Sequence, residues 1–438
     1  MMILMKTAKW KLIVFSMTFI ILMVGACGTV TSTPTTSPTL TVIRSTSTAL
    51  PVPPSPATPP ATDTATPTSS LPVSSAPDGL RMVYHTSQGL YLKDGSNPPR
   101  QLTQHVEDYD LRISDDGEKI VFGRRTTPFT LYSINADGGD ELALVTRDKL
   151  TALNLGYDAF IAKPDDTAFV PGTHLLLFET ANFEFPNSDL LSVDTDTGEI
   201  KSILPSGQAA DYYISPDGTK IAVNVIGEPA HVDLIGIDGK ILQSNIATYT
   251  PSEPLYIPPE VNWAQDSNSL TIVLPYPTFY DTSGGAPNYT IWRYTLDENK
   301  SIQVPLDPMP KDLVEVSPDG NWVTYHDDGG ALYIGNLRDG SSQVYTPKPL
   351  LPLYSWSPDN IHFVYGRRKI YLGALNTSPV FFGDGGFMDW VDASHFLYYD
   401  YVNKNLVMGG IDGGKVVILT DAVESFKSNT IFTFILLH

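Results

Sequence analysis

One short turn recurs along the chain and constrains what it can become. An apolar residue is followed by Ser-Pro-Asp-Gly or a relative, two variable residues and an apolar run. Clear copies are ISDDGEKIVF from Ile113, ISPDGTKIAV from Ile214, VSPDGNWVTY from Val316 and WSPDNIHFVY from Trp356, with APDGLRMVYH from Ala76 at the head of the array. Degenerate copies are FVPGTHLLLF from Phe169, WAQDSNSLTI from Trp263 and WVDASHFLYY from Trp390. The turn positions are Gly79, Gly117, Gly172, Gly218, Ser267, Gly320, Asn360 and Ala393, about 45 residues apart on average.

A second turn follows each copy. These turns are Asp94-Gly95, Asp137-Gly138, Asp196-Thr197-Gly198, Asp238-Gly239, Asp297-Glu298, Asp339-Gly340, Asn376-Thr377 and Asp412-Gly413. Asp-Gly between apolar runs signals a hairpin, and a type I′ turn with two central residues at positive φ is the expectation. Each repeat then reads as four strands, as in YDLRIS, KIVFGR, LYSIN and ELALVT, rich in β-branched and aromatic residues.

Composition agrees. The acidic residues divide into 36 Asp and 12 Glu, and Asp with Gly belongs to tight turns whereas helices favour Glu. A single cysteine excludes a disulfide framework and any multi-cysteine metal site. A net charge of −20 argues against nucleic acid as a partner.

Tandem four-stranded units of this length predict an all-β chain folded as a β-propeller of four-stranded blades. Eight blades are expected, with seven as the alternative if the unit around Trp390 or Phe169 merges with its neighbour. The first unit lacks a strand before its turn, and Val423–Ser428 is the expected C-terminal strand that closes the ring. The tail after Thr430 has no assigned place. YLKDGSNPPRQLT from Tyr91, followed after a strand by the Ser-Pro-Asp-Gly-like turn, resembles the repeats of Tol-B-type propellers, which are related to the propellers of prolyl-oligopeptidase-type peptidases. The resemblance spans about residues 77–428 and implies fold more than function.

The N-terminus reads as an address. Lys6, Lys9 and Lys11 precede an apolar stretch from Leu12 to Val24, and Gly25, Ala26 and Cys27 follow. Val24-Gly25-Ala26-Cys27 resembles the lipobox of bacterial lipoproteins, which implies lipidation of Cys27. Residues 1–26 are then the signal peptide. Residues 27–76 form a tether in which Thr, Ser and Pro dominate, expected to stay disordered for want of apolar side chains. Residues 77–438 form the propeller, with no second folded domain. The expected location is outside the cytoplasm, on the outer face of the cytoplasmic membrane or in the cell envelope of a bacterium.

Catalytic signatures are scarce. The chain has no Gly-x-Ser-x-Gly elbow, no His-Glu-x-x-His and no glycine-rich phosphate loop. Asp194–Glu199 superficially matches a calcium loop but occupies a hairpin position. His174, His362 and His395 hold equivalent places in three repeats, too far apart around a ring to share one ion; they are read as structural, and no metal or cofactor is expected. Trp263, Trp356 and Trp390 head first turns and are read as packing between blades.

The candidate binding residues are carboxylates at the starts of innermost strands, where side chains could ring one mouth of the channel. They are Asp110, Asp211, Glu260 and Asp312, with a cation or basic peptide as the chemistry they would draw. A second candidate is the loop bearing Tyr276, Phe279 and Tyr280. The functional expectation is a monomeric, membrane-anchored, non-enzymatic scaffold for an extracytoplasmic protein, peptide or glycan. The alternative is a glycosidase or lyase working through paired channel carboxylates.

Overall fold

The computed structural model describes residues 79–437 apart from 126–128, 156–159, 162–166, 182–187, 210, 251–257, 276–288, 347–352 and 421–431. The signal segment, Cys27, the tether, the aromatic loop and Val423–Ser428 lie outside the described residues.

The strands group into units of four that follow the repeats. Unit 2 is representative: Asp108–Ile113, Lys119–Arg124, Thr130–Asn135 and Leu142–Val145 pair in sequence order, all antiparallel. Unit 4 (Asp211–Ile214, Lys220–Val225, Ala230–Gly236, Ile241–Tyr249), unit 5 (Glu260–Trp263, Ser269–Pro275, Tyr289–Thr295, Lys300–Val304) and unit 6 (Asp312–Val316, Trp322–His326, Leu332–Asn336, Ser342–Thr346) repeat the plan. In unit 3 the first strand is in two pieces, Phe160–Ile161 and Ala168–Phe169, both on Leu175–Ala181, with Ser188–Asp194 and Ile200–Ala209 beyond. Units 7 and 8 share a seven-stranded sheet. Val380–Trp390 is the last strand of Leu353–Trp356, His362–Gly366 and Lys369–Ala374, and the first of His395–Asp400, Asn405–Gly410 and Lys415–Leu419. The unit at Trp390 is thus joined to its neighbour, with the second half of Val380–Trp390 as its first strand and three further strands of its own. Arg147–Ala152 is the α-helix among the described residues, capped by Thr146.

Unit 1 is completed from the far end of the chain. Phe432–Leu436 pairs antiparallel with Leu80–Thr86, which continues to Gly89–Asp94 and Arg100–Gln101. Leu437 N donates to Gly79 O at 2.9 Å. A C-terminal strand closes unit 1 as expected, but it is the tail after Thr430 and not Val423–Ser428. FTFIL supplies the apolar alternation that packs Phe434 and Leu436 against the Leu80, Met82 and Met408 cluster, whereas VESFKS carries Glu424 and Lys427.

Each seam between successive units holds its own apolar cluster. Units 1 and 2 meet through Leu90, Leu111 and Phe122; units 2 and 3 through Val121, Leu176 and Phe178; units 3 and 4 through Leu177, Tyr212 and Ile221. Ala222 with Ile272, Ile291 with Tyr325, Ile334 with Phe363, and Phe382 with Phe396 continue the series. Leu397 and Met408 against Leu80 and Met82 bring it back to unit 1. Ile120 and Phe122 face one neighbour while Val121 between them faces the other, the period of two that a strand imposes.

The recurrent turn has one hydrogen-bond pattern. Ser114 Oγ donates to Asp116 Oδ1 at 2.5 Å and accepts from Lys119 N at 2.9 Å, while Gly117 N donates to Ser114 O. Ser215 with Asp217 and Ser317 with Asp319 repeat it. The turn position has positive φ in Gly117 (70°), and also where glycine is replaced, in Ser267 (56°) and Asn360 (62°). In the second turns of units 2 and 4 only the later residue has positive φ, Gly138 (89°) and Gly239 (82°). Asn135 N bonds Gly139 O and Gly138 N bonds Asn135 O, so these are three-residue loops with glycine in the left-handed place, not the expected type I′ turns.

Two outcomes follow. Ser317→Ala leaves the Trp322 amide without its buried hydroxyl acceptor and should cost about 1–3 kcal/mol, read from urea unfolding. A chain ending at Thr430 leaves Leu80–Thr86 without its inner partner and uncovers Met82; its melting temperature should fall and its dye-accessible apolar surface rise. An unchanged melt would show that the ring closes without this strand.

Candidate functional site: inner-strand carboxylates and a cleft at the turns

Register places three of the four expected carboxylates at one equivalent position. Asp211, Glu260 and Asp312 each open an inner strand, opposite Asn224, Val273 and His326 respectively. Asp312 is one residue further from its turn than the others, and a β-bulge between Asp312 and Glu315 absorbs the extra residue. Asp110 does not belong to this set. It falls within the bulge between Tyr109 and Arg112, with φ 54°, and Tyr109 takes the equivalent register place.

Their surroundings differ. Asp211 is buried and accepts from Asn224 Nδ2 at 3.3 Å; Asn224 Oδ1 in turn accepts the Tyr249 hydroxyl at 2.6 Å. This relay runs from the inner to the outer strand of unit 4 and ties Asp211 into its own sheet. In unit 2 the fully buried acid is Asp108, paired with Arg124 at 2.6 Å and bonded by Thr103 Oγ1 at 2.7 Å, while Arg124 also reaches Glu141 at 3.0 Å. Burial opposes the Arg124 charge, and the two carboxylates more than offset it, so the guanidinium stays charged. Glu260 is half-buried beside Asn262 Nδ2 at 3.4 Å. It acts on Glu315, on the inner strand of the next unit. Burial pushes the Glu315 carboxyl well above its ordinary range, and the Glu260 charge pushes it further. Sequence reasoning missed Glu315 because it compared equivalent positions only.

The three tryptophans behave alike. Trp263, Trp356 and Trp390 donate their indole N–H to the carbonyls of Tyr213, Glu315 and Ser355, each on the inner strand of the preceding unit. They are seams, as expected, and form no ligand cage.

A cleft of about 900 Å³ opens across the turns of units 1, 2 and 3. Arg81 reaches into it while paired with Asp94 at 2.6 Å and bonded to Gly117 O; Arg100 donates to the carbonyls of Ala136 and Asp137. Glu118, Lys119, His174 and Asp196 also line it. His174 is held from both sides: Nδ1 lies 2.8 Å from Asp196 Oδ2, and Nε2 lies 3.0 Å from Asp116 Oδ2. Lys119 Nζ sits 2.7 Å from Asp196 Oδ1. Burial lowers the His174 pKa, but the hydrogen bonds to Asp196 and Asp116 outweigh it and the net direction is up. Asp196 is held low by Lys119 and His174. The segment Asp194–Glu199 is a turn, with Gly198 N on Asp194 O.

His362 and His395 are bonded within their own turns, to Asp359 at 2.5 Å and Asp392 at 2.9 Å. His174 alone of the three bridges to the preceding unit. The signal for this lay in combining the first turn of one repeat with the first turn of the next: Asp116 and Glu118 flank Gly117, and His174 stands two residues after Gly172.

No protein-family model matches the chain, and no curated protein matches its sequence. Among solved structures it is similar to the β-propeller domain of the Trilobed protease from Pyrococcus furiosus, at 13% identity over 70% of this chain and 94% of that one, TM-score 0.43. It is similar to TolB from Acinetobacter baumannii at 14% identity over 78% and 81% of the two chains, TM-score 0.35. A prolyl endopeptidase gives 11% identity over 71% of this chain and TM-score 0.48; the chain spans 49% of that peptidase's length. The protein is a β-propeller. At these identities the likeness is one of fold alone.

Glu315 makes stability depend on pH with a definite sign. Its folded pKa is raised, so the folded state carries no penalty below the ordinary value of 4.5 and loses stability as pH rises from there through the raised value. Glu315→Gln should therefore raise the melting temperature at pH 8 and leave it nearly unchanged at pH 4. Equal shifts at both pH values would show that Glu315 ionises freely.

Proposed function

We propose that this propeller is an extracytoplasmic, lipid-anchored binding scaffold that takes a protein, peptide or glycan at the cleft across units 1–3. The cleft carries this reading. It combines volume enough for several side chains or a sugar ring with fixed charges of both signs, set on turns held by the sheets beneath. Arg81, Arg100 and Lys119 are pinned by carboxylates or carbonyls, so the groups a ligand would meet are already oriented. The expected binding residues Asp110, Asp211, Glu260 and Asp312 become secondary here, since Asp211 is engaged in its own sheet and Asp110 sits in a bulge.

Anchoring rests on the basic, apolar and Val-Gly-Ala-Cys succession at the N-terminus. One lipid-bearing cysteine followed by a long Thr/Ser/Pro spacer would hold the scaffold clear of the membrane surface. A second reading is favoured by one observation, the Glu260–Glu315 pair. Two interacting carboxyls, one of them pushed toward its protonated form by burial and by the other, are the kind of pair glycoside hydrolysis uses.

Cys27→Ser should move the protein from the membrane fraction to the soluble fraction of the envelope and abolish incorporation of labelled fatty acid; retention of both would overturn the anchor. Capture from native envelope extract should be lost with Arg100→Gln/Lys119→Gln and kept with Glu260→Gln/Glu315→Gln. The opposite pattern, with turnover of an envelope glycan, would promote the enzyme.

A further inference from the structure

The wall of the cleft at the seam of units 2 and 3 has a composition that the binding reading does not use. A ring nitrogen of His174, a carboxylate oxygen of Asp116 and one of Glu118 all lie within 4.8 Å of one another, with Nε2 facing Asp116 at 3.0 Å. Ligand atoms around one divalent ion, at bond lengths near 2.0–2.4 Å, lie about 3–4 Å apart, so small side-chain rotations would bring these three onto a common centre. Asp116 and Glu118 flank the fixed turn glycine Gly117, and His174 comes from the next unit, so donors from two repeats converge.

Two further features suit metal ligation. The Glu118 carboxylate is exposed and has no hydrogen bond or ion pair among the described residues, so it is free to turn toward an ion. The other nitrogen of the ring, His174 Nδ1, faces Asp196, which Lys119 holds in turn. Both ring nitrogens lie within hydrogen-bond distance of a carboxylate, so an ion at Nε2 would take the place of the proton shared with Asp116, while Nδ1–H donated to Asp196 would keep the ring oriented, as carboxylates do for metal-bound imidazoles. With a neutral imidazole, as in a metal-bound state, three carboxylates against one ammonium leave a net charge of −2, which a divalent ion would offset.

We propose that Asp116, Glu118 and His174 bind a divalent first-row transition ion between units 2 and 3, with its remaining positions open to the cleft. One imidazole nitrogen and two carboxylates suit such an ion better than calcium or magnesium, which favour all-oxygen shells. The site is independent of the anchoring and partner readings.

The test uses the full chain in detergent micelles and Mn²⁺ alone at fixed neutral pH, with free Mn²⁺ counted by electron paramagnetic resonance. One saturable site should appear, with Zn²⁺ displacing Mn²⁺ at much lower concentration than Ca²⁺ does. Glu118→Gln and His174→Gln should each weaken binding at least tenfold, and His174→Gln should remove the nitrogen coupling from the bound Mn²⁺ spectrum. Asp137→Asn, elsewhere in the same cleft, should leave binding unchanged. Glu118→Gln breaks no hydrogen bond among the described residues, so its melting temperature should match the parent and its result stands apart from folding. No saturable site, equal displacement by Ca²⁺, or binding indifferent to Glu118→Gln would overturn the proposal.

Discussion

The apolar seam between neighbouring sheets is the interaction on which the structure depends. A four-stranded unit of this protein is hydrophobic on both faces, and neither face is covered from within the unit. Val121 needs unit 3 and Phe122 needs unit 1. A fully buried side chain of this size is worth about 1.5–3 kcal/mol relative to exposure, so a lone unit would lose many such terms at once. Only a closed succession satisfies every unit. That is why the last strand of the chain is spent on the first sheet, and why Leu80 and Met82 find cover from Leu397 and Met408.

The polar network is laid over this apolar frame at the turns. Each Ser-Asp turn is internally satisfied, and several reach across a seam: Asp217 N to Ser267 Oγ, Asp319 N to Asn360 Oδ1, and Gly172 N to Asp115 Oδ2. The same geometry that brings successive turns within hydrogen-bond range brings His174 against Asp116. The cleft and its charged wall are therefore products of the repeat, varied at a few positions, and need no dedicated loop. The inner-strand acids show the opposite behaviour. Asp108 and Asp211 are drawn into their sheets by partners on the second strand, Arg124 and Asn224, and contribute order where they might have contributed recognition.

Much of the architecture was legible because it is periodic. The turn serine, aspartate and glycine are read directly as residues, and the strands between them follow from alternation; YDLRIS and KIVFGR match Asp108–Ile113 and Lys119–Arg124 nearly residue for residue. What escaped was aperiodic. The closing strand has no turn motif ahead of it, so FTFIL looked like a tail. Asp110 and Asp312 sit at similar distances from their turns, but a bulge leaves one as the inserted residue and brings the other into register, and bulges leave no spacing signal of their own. The His174 cluster and the Glu260–Glu315 pair join non-equivalent positions of adjacent units. Aligning repeats on one another hides such pairs, because it compares a residue with its copies and never with the neighbours of its copies.

Val380–Trp390 gives units 7 and 8 a mechanical character of their own. Here one strand of 11 residues passes from the edge of one sheet to the heart of the next without interruption. Its backbone hydrogen bonds are committed on both sides of Asp384, to Lys369–Ala374 and to His395–Asp400. A hinge there would have to break a ladder, so these two units move as a single plate, and any widening of the ring is borne by the remaining seams.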